Sequence, residues 1–181
     1  LKQRQGDAPT IVQILPAMVR GGVERGTVEM ADAIQKHGGR AIVISRGGPM
    51  VRHLDRLGAT HYQLDVHAKN PFRWPQVRSR LKAILSRENA DLVHVRSRVP
   101  AWIALPAAAA LGIATVSTVH GRFIALSALK RIYNRKLLKT DHIIAISSYV
   151  KDLITSQYVD VEERLTVVHR GVDIDLFNPD N

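Results

Sequence analysis

The sequence predicts one α/β domain, a doubly wound, Rossmann-like parallel sheet of about seven strands. Three observations predict this fold. Short apolar segments without polar alternation recur along the chain, as expected of strands buried on both faces. Segments with helical periodicity separate them, which is the pattern of repeated strand–helix–strand units. The length of 181 residues suits a single domain with a sizeable core.

The first half of the chain alternates strands with helices. Apolar runs predict strands over 10–15, 40–45 and 60–64, and periodic segments predict helices over 23–37, 50–57 and 71–87. Gly38 and Gly58 follow two of these helices, where glycine readily adopts the left-handed cap conformation. The residues predicted to form the core-facing side of the first helix are Val23, Thr27, Met30 and Ile34.

The second half continues the pattern. It predicts strands over 91–95, 114–118, 142–146 and 165–168, with helices beginning at Pro100 and covering 124–139 and 147–156. Ser147 is a typical N-cap residue. The residues predicted to face the core from helix 124–139 are Leu126, Leu129, Tyr133 and Leu137. We expect residues 1–9 to be a flexible N-terminal segment, 10–170 the folded domain and 171–181 the start of a linker.

Composition narrows the functional classes. The sequence contains no cysteine, which excludes disulfides and cysteine-based catalysis or metal binding. Its formal charge of +10 favours anionic partners or a basic solvated surface. The uncharged stretch 99–119 is long enough to span a bilayer. Because it contains two prolines and a glycine, we interpret it as a buried helix, a turn and a strand. The lack of cysteine fits a protein of the reducing cytoplasm, and no apolar signal segment is visible before Thr10.

Ligands of such sheets bind beyond the carboxyl ends of the strands, so the loops at these ends are the candidate site. The loop 16–26 (PAMVRGGVERG) places Gly21 and Gly22 at a helix start, where backbone N–H groups and the helix dipole favour an anion. Its glycine spacing matches neither a dinucleotide fingerprint nor a P-loop. The alternatives at this point are a phosphate-binding loop and a plain glycine turn.

Three further groups of residues are candidates for binding a ligand or a membrane. His120 directly follows the fifth strand, with Gly121 and Arg122 after it, and an imidazole there can donate to a sugar hydroxyl or be a satisfied loop histidine. Arg96 and Arg98 follow the fourth strand and suit a phosphate or carboxylate, or a salt-bridged loop. The third group forms a basic helical surface that suits an anionic membrane or is simply solvated: Lys130, Arg131, Arg135, Lys136 and Lys139. Signatures of nucleic-acid binding are absent from the sequence.

Together these residues resemble the N-terminal domain of family 4 retaining glycosyltransferases, which have the GT-B architecture. The resemblance spans Ile11 to Pro179 and rests on the order of five segments rather than on any one of them. These are GGVE at 21–24, ADLVHVRS at 90–97, STVHG at 117–121, DHIIAISSYVKDLI at 141–154 and VVHRGVDIDLF at 167–177.

The resemblance implies an enzyme that transfers a sugar from a nucleotide diphosphate to an acceptor with retention, without a bound metal or cofactor. Gly21, Gly22 and Glu24 would face the donor diphosphate, and His120 would help orient or stabilise the donor sugar. Ser147 would start a helix near the cleft. The family's C-terminal domain, with two spaced glutamates, holds most of the donor nucleotide. No such segment follows residue 171, so we expect this chain alone to be inactive.

Two departures from the family pattern add positive charge near the expected cleft. His169 and Arg170 stand where the family usually has Pro-Asn, and Arg96 and Arg98 stand where histidine or serine is more common. They indicate an anionic acceptor, and the basic surface indicates a lipid-linked or lipopolysaccharide-type glycan at the inner membrane face. Two alternatives stay open. One is a non-catalytic module that binds a nucleotide or phosphorylated ligand. The other is a nicotinamide oxidoreductase with Arg46 on the cofactor phosphate, against which the glycine spacing argues.

Overall fold

A computed structural model of the chain describes residues 8–68, 70–121 and 123–171. Within them lies one parallel sheet of seven strands in the order β3-β2-β1-β4-β5-β6-β7. The strands are β1 (Thr10–Ile14), β2 (Arg40–Ser45), β3 (Thr60–Gln63), β4 (Leu92–Val95), β5 (Ala114–Val119), β6 (His142–Ala145) and β7 (Leu165–Val167). Val12 pairs with Ile42 on one side and Val93 on the other, so β1 is central. The predicted doubly wound parallel fold is confirmed.

The helices are α1 (Gly22–Lys36), α2 (Val51–Leu57), α3 (Trp74–Arg87), α4 (Arg98–Ala109), α5 (Ala128–Arg135) and α6 (Ser148–Thr155). Two 3-10 segments, Pro71–Arg73 and Val159–Arg164, precede α3 and β7. The stretch 99–119 is a helix, a turn and a buried strand, as expected. None of the helices in the described residues has the length and apolar character needed to cross a bilayer.

Each face of the sheet has its own apolar core. On one face, α1 and α2 pack over β1 and β2 through Ala31, Ile34, Val43 and Leu54. On the other face, α3, α4 and α6 contribute to a larger cluster whose buried members include Leu81, Leu85, Ile103, Val150 and Ile154. Since right-handed crossovers carry the chain from β1 to β3 and then back to β4, the helices divide between the faces in this way.

Coverage of the sheet is uneven, which differs from the expectation of two covered faces. Ile143 and Ala145 point into the larger core, so Ile144 between them points to the face that carries α1 and α2, whereas Ile146 beyond the strand packs against the larger core. Ile144 is only half-buried, and Val168 beyond β7 is exposed. The reason is topological, because α1 and α2 lie over the β1–β3 half and the helices after β3 pack on the opposite face.

Three side-chain predictions on helices were wrong. Met30 was expected in the core, but it is exposed and borders a cavity. Leu126 and Leu129 were also expected in the core and are 95% and 81% exposed. The basic helix is shorter than predicted because Ser127 accepts a hydrogen bond from the Lys130 amide (3.2 Å) and caps α5 there. Leu126 therefore lies before the helix, outside the predicted periodic face.

Candidate functional site

The candidate site lies at the carboxyl edge of the sheet, where the strand order reverses between β1 and β4. The chain moves outward from β1 to β3 and then returns to β4 on the other side of β1. The loops that follow β1 and β4 therefore diverge and leave a crevice, which is the usual ligand position in such sheets. Gly21, Gly22 and Arg96 lie on these two loops, and His120 follows the adjacent β5.

Backbone hydrogen bonds connect the loop after β1 to the loop after β2. The Met18 amide donates to the Gly47 carbonyl and the Met50 amide donates to the Met18 carbonyl, both at 2.9 Å. The Met18 side chain is fully buried. Gly48 passes so close to Met18 that an added Cβ would lie 2.4 Å from the Met18 carbonyl oxygen. The polypeptide before α1 is thus fixed by backbone contacts.

Helix α1 begins at Gly22 without a side-chain cap from Gly21. An added Cβ on Gly21 would lie 2.4 Å from Glu24 Oε2, so the Glu24 carboxylate folds back over this glycine. The Arg170 guanidinium reaches the same turn, where Nη2 donates to the Gly22 carbonyl at 2.5 Å. The predicted loop residues and Arg170 are therefore brought together at the positive end of α1, where anions are favoured.

His120 stands half-buried at the end of β5. Neither of its ring nitrogens has a hydrogen-bond partner among the described residues, although both are shielded from solvent. Burial, followed by the positive charges of Arg96 and Arg170, lowers the pKa of His120 to about 4. The ring is therefore neutral near pH 7 and offers one N–H donor and one acceptor to a ligand.

Arg96 is the most buried cation of the site, with 6% of its surface exposed. Burial, with a further contribution from Arg170, lowers its pKa to about 10, so it remains charged at neutral pH. Its Nε atom has no hydrogen-bond partner in the part of the chain that the structure describes. Nearby, His94 is buried with Nε2 at 2.7 Å from Thr118 Oγ1, and burial holds its pKa well below the usual range. A neutral histidine thus fixes the hydroxyl that borders the crevice.

A cavity of about 760 Å³ opens between α1 and the uncovered face of β5–β7. Its walls combine cations, apolar side chains and one carboxylate. The lining includes Arg25, Gly26, Glu29, Met30, His53, Arg96, Thr118, His120, Ile144, Ile146, Val168, His169 and Arg170. A cavity of this size suits a small-molecule ligand, and its charge favours an anionic one.

The other predicted site residues lie around this cavity. Arg98 stacks on Phe123, with Cζ 4.9 Å from the ring centroid, and borders a smaller cavity of about 240 Å³ together with His120 and Gly121. Ser147 starts α6 as predicted, since its Oγ accepts from the Val150 amide at 3.2 Å. Arg122 lies outside the described residues, as do 1–7 and 172–181 of the predicted termini.

The predicted basic surface on α5 is partly used by the fold. Arg131 donates to the Gln157 carbonyl at 2.7 Å and Arg135 bonds Asp160 at 2.5 Å, which ties α5 to the segment before β7. Lys136 lies 5.5 Å above the Trp102 ring. Lys130 and Lys139 remain exposed. The helix and the residues just before it therefore present two exposed leucines, Leu126 and Leu129, together with the basic residues.

Sequence reasoning missed the wall that α1 contributes. Arg25 and Glu29 form an i,i+4 ion pair at 2.8 Å, and Glu29 Oε2 lies 4.0 Å from Arg170. The four-residue spacing of Arg25 and Glu29 in the sequence indicates an ion pair on a helix, but only the topology shows that this helix face borders the site. Among the described residues, no group of three His, Asp or Glu side chains is arranged to hold a metal ion.

The chain matches the family model Glyco_transf_4, described as "Glycosyltransferase Family 4", over residues 20–176. The chain belongs to glycosyltransferase family 4. Spore coat protein SA of Bacillus subtilis (strain 168) is 24% identical over 162 residues, which cover 89% of this chain and 41% of that protein.

Solved structures of GT-B glycosyltransferases share the fold. A glycosyltransferase from Rickettsia africae is 36% identical, with a TM-score of 0.85 over 96% of this family 4 chain and 46% of its own. Anabaena HepE in complex with UDP-glucose has 16% identity and a TM-score of 0.77, over 94% of this chain and 47% of its own. The chain thus spans less than half the length of these relatives.

Proposed function

We propose that this chain is the acceptor-side half of a two-domain glycosyltransferase that transfers a sugar from a nucleotide diphosphate with retention. The observation that carries the proposal is the neutral His120 imidazole, whose two unpartnered nitrogens border the crevice of a family 4 chain. A nucleotide sugar as donor is supported by HepE, which was crystallised with UDP-glucose. We further propose that the donor nucleotide is held mainly by a C-terminal domain of the same enzyme.

In this proposal the residues of the chain bind and orient the substrates. The first turn of α1, beginning at Gly22, offers backbone N–H groups to the donor diphosphate. Because glycine has no Cβ atom, the phosphate can approach the backbone closely there. His120 donates a hydrogen bond to a hydroxyl of the donor sugar and so fixes the orientation of the sugar as its anomeric carbon reacts. The bond from that carbon to the diphosphate breaks, a bond to the acceptor oxygen forms, and the acceptor proton passes to the leaving phosphate. No step requires a metal or other cofactor.

Replacing Gly22 tests the phosphate-binding role of the loop. An added Cβ would lie 2.9 Å from Arg170 Nη1, so Gly22→Val should displace that guanidinium and crowd the start of α1. We expect the donor KM to rise about tenfold or more, because the branched side chain should remove a hydrogen bond from the α1 backbone N–H groups to the diphosphate, and a hydrogen bond to a charged group contributes about 1.5–3 kcal/mol. Gly22→Ala should show a smaller rise. Steady-state kinetics with unchanged KM and kcat for Gly22→Val would remove the phosphate-loop assignment.

For the acceptor, we propose a lipid-linked or lipopolysaccharide-type glycan, reached from the cytoplasmic face of an anionic membrane. The α5 region supports this proposal in two ways. Between Gly121 and Thr140 the basic residues outnumber the acidic ones, since no Asp or Glu occurs there. Leu126 and Leu129 are exposed beside them, as is Ile132 at 61%. Exposed leucines next to basic residues suit the interface of an anionic bilayer.

Vesicle co-sedimentation tests the membrane proposal. We expect binding to vesicles with anionic lipid, weaker binding to neutral vesicles, and loss of the difference at high salt. Changing Lys130, Arg131, Arg135, Lys136 and Lys139 to Gln should remove the anionic preference, since each basic residue near the surface contributes about 1 kcal/mol.

A second variant separates apolar insertion from charge. Leu126→Ser with Leu129→Ser should weaken binding to both vesicle types and leave the salt dependence in place. Equal sedimentation of the wild type and the five-Gln variant would assign the charge to another surface. A circular dichroism spectrum confirms that each variant is folded.

The second candidate function is a non-catalytic module that binds a phosphorylated ligand. The cation-rich cavity around Arg96 and Arg170 favours it, because the cavity binds anions whether or not chemistry follows. The two candidates differ in one experiment. Under the transferase proposal the full-length protein consumes a nucleotide sugar, and under the binding proposal it only retains one.

A further inference from the structure

We propose that Arg96 and Arg170 form an oxyanion subsite, which takes a phosphate or carboxylate group carried by the sugar acceptor. The assignment of the anion to the sugar acceptor rests on the proposed transferase function, whereas the binding of an anion by the two arginines does not. The subsite lies in the cavity wall beside Gly26, which follows the first turn of α1.

The two guanidinium groups converge on one point of α1. A Cβ added to Gly26 would lie 2.5 Å from Arg170 Nη2 and 3.6 Å from Arg96 Nη1. Glycine at this position leaves room for both side chains. Like charges placed this close repel each other, and the repulsion contributes to the lowered pKa of Arg96. An oxyanion between them would convert this repulsion into attraction.

The protein supplies too little negative charge to neutralise these cations. Glu29 is the carboxylate at this wall, and its Oε1 already accepts from Arg25 Nε at 2.8 Å. Its Oε2 lies 4.0 Å from Arg170, and within the described ranges Arg96 makes no salt bridge. Burying a guanidinium is costly unless it is paired and hydrogen-bonded. Arg96 is 6% exposed, and none of the described residues accepts a hydrogen bond from its Nε, so an external anion is the partner that this geometry favours.

The position favours the acceptor over the donor as the source of the anion. The donor diphosphate is proposed to lie at the exposed first turn of α1, at Gly21 and Gly22. The cavity instead continues along later turns of α1, past Gly26, toward apolar Ile144 on the open sheet face. A ligand with one anionic group and an apolar or glycan body fits this combination of walls.

Inorganic phosphate is the probe for the subsite, added to the 181-residue chain while its Gly26 amide is followed by NMR. We expect a saturable shift of this amide in wild type. Arg96→Gln should weaken the apparent phosphate affinity about 10- to 100-fold, the equivalent of one charge-assisted hydrogen bond. Because Arg96 is buried, Arg170→Gln at the surface provides a second variant with the same expected loss.

Arg80→Gln is the matched control, since Arg80 is an exposed arginine of α3 on the opposite face. It should bind phosphate as wild type does. Equal affinity of wild type, Arg96→Gln and Arg170→Gln would overturn the subsite, as would an equal loss in Arg80→Gln. Failure of the proposed function looks different, because phosphate would still bind while no nucleotide sugar is consumed.

Adding UDP to the full-length protein distinguishes the two sources of the anion. If the subsite belongs to the acceptor, phosphate continues to shift the Gly26 amide when UDP is saturating. Displacement of phosphate by UDP would assign the two arginines to the donor diphosphate and overturn the acceptor assignment.

Discussion

His120→Ala in the full-length enzyme should lower kcat roughly 30- to 900-fold while leaving the fold intact. The expected cost is about 2–4 kcal/mol of barrier, taking the removal of one preorganised hydrogen-bond donor from an active site as the guide. Among the described residues neither nitrogen of the His120 ring has a hydrogen-bond partner, so the substitution removes no hydrogen bond within that part of the chain. We therefore expect the melting temperature to change by less than about 4 °C.

The pH dependence provides a second readout of His120. Its pKa lies near 4 in the folded chain because of burial and the neighbouring arginines. The unfolded-state pKa is higher, so protonation penalises the folded state only as pH falls below about 6.5 toward 4. Turnover should show no loss from protonation of His120 between pH 8 and 5. An alanine variant that melts early, or that works at the wild-type rate, would contradict the proposed role.

Gly48→Ala should lower the free energy of unfolding by about 2–5 kcal/mol, combining backbone strain with overpacking. Gly48 has φ of +143°, and its added Cβ would lie 2.4 Å from the Met18 carbonyl oxygen. Backbone atoms cannot move aside as a flexible side chain can. For a domain of this size the melting temperature should fall by roughly 5–20 °C, measured by thermal denaturation.

Gly38→Ala isolates the cost of the backbone conformation. Gly38 also has positive φ, +77°, but an added Cβ there meets nothing within 4 Å. We expect a loss of about 1–2 kcal/mol from conformation alone. If Gly48→Ala and Gly38→Ala have the same melting temperature, the contact between the loops after β1 and β2 is not what positions the loop at Gly21 and Gly22. If this contact does position that loop, Gly48→Ala also raises the KM for the donor.

Much of the fold can be predicted from local sequence, because a parallel strand that is buried on both faces is a short run of mostly apolar residues. RAIVIS at 40–45 and DLVHV at 91–95 could be predicted as strands for this reason. The exposed position of Leu126 could not, since it depends on where Ser127 caps α5. The open face of β6 could not either, because sequence does not reveal which crossovers share a face.

The sequence predicts those parts of the candidate site that follow the ends of strands. His120 and Arg96 were selected because they follow parallel strands, and the structure brings both to one cavity. The position of Arg170 against Gly22 depends on a contact between residues 148 positions apart in the chain. The partner of a guanidinium at that distance is set by the tertiary fold. Glu29 was missed for the same reason.

The most direct test of the proposed transferase is a sugar-transfer assay over a panel of nucleotide sugars. It compares the full-length protein, its His120→Ala variant and the 181-residue chain. We expect the full-length protein to release nucleoside diphosphate from one donor and form a product with the donor's anomeric configuration. His120→Ala should be slowed as above, and the 181-residue chain should fold cooperatively but transfer nothing. Robust transfer by that chain alone, or consumption of no nucleotide sugar by the full-length protein, would contradict the proposal.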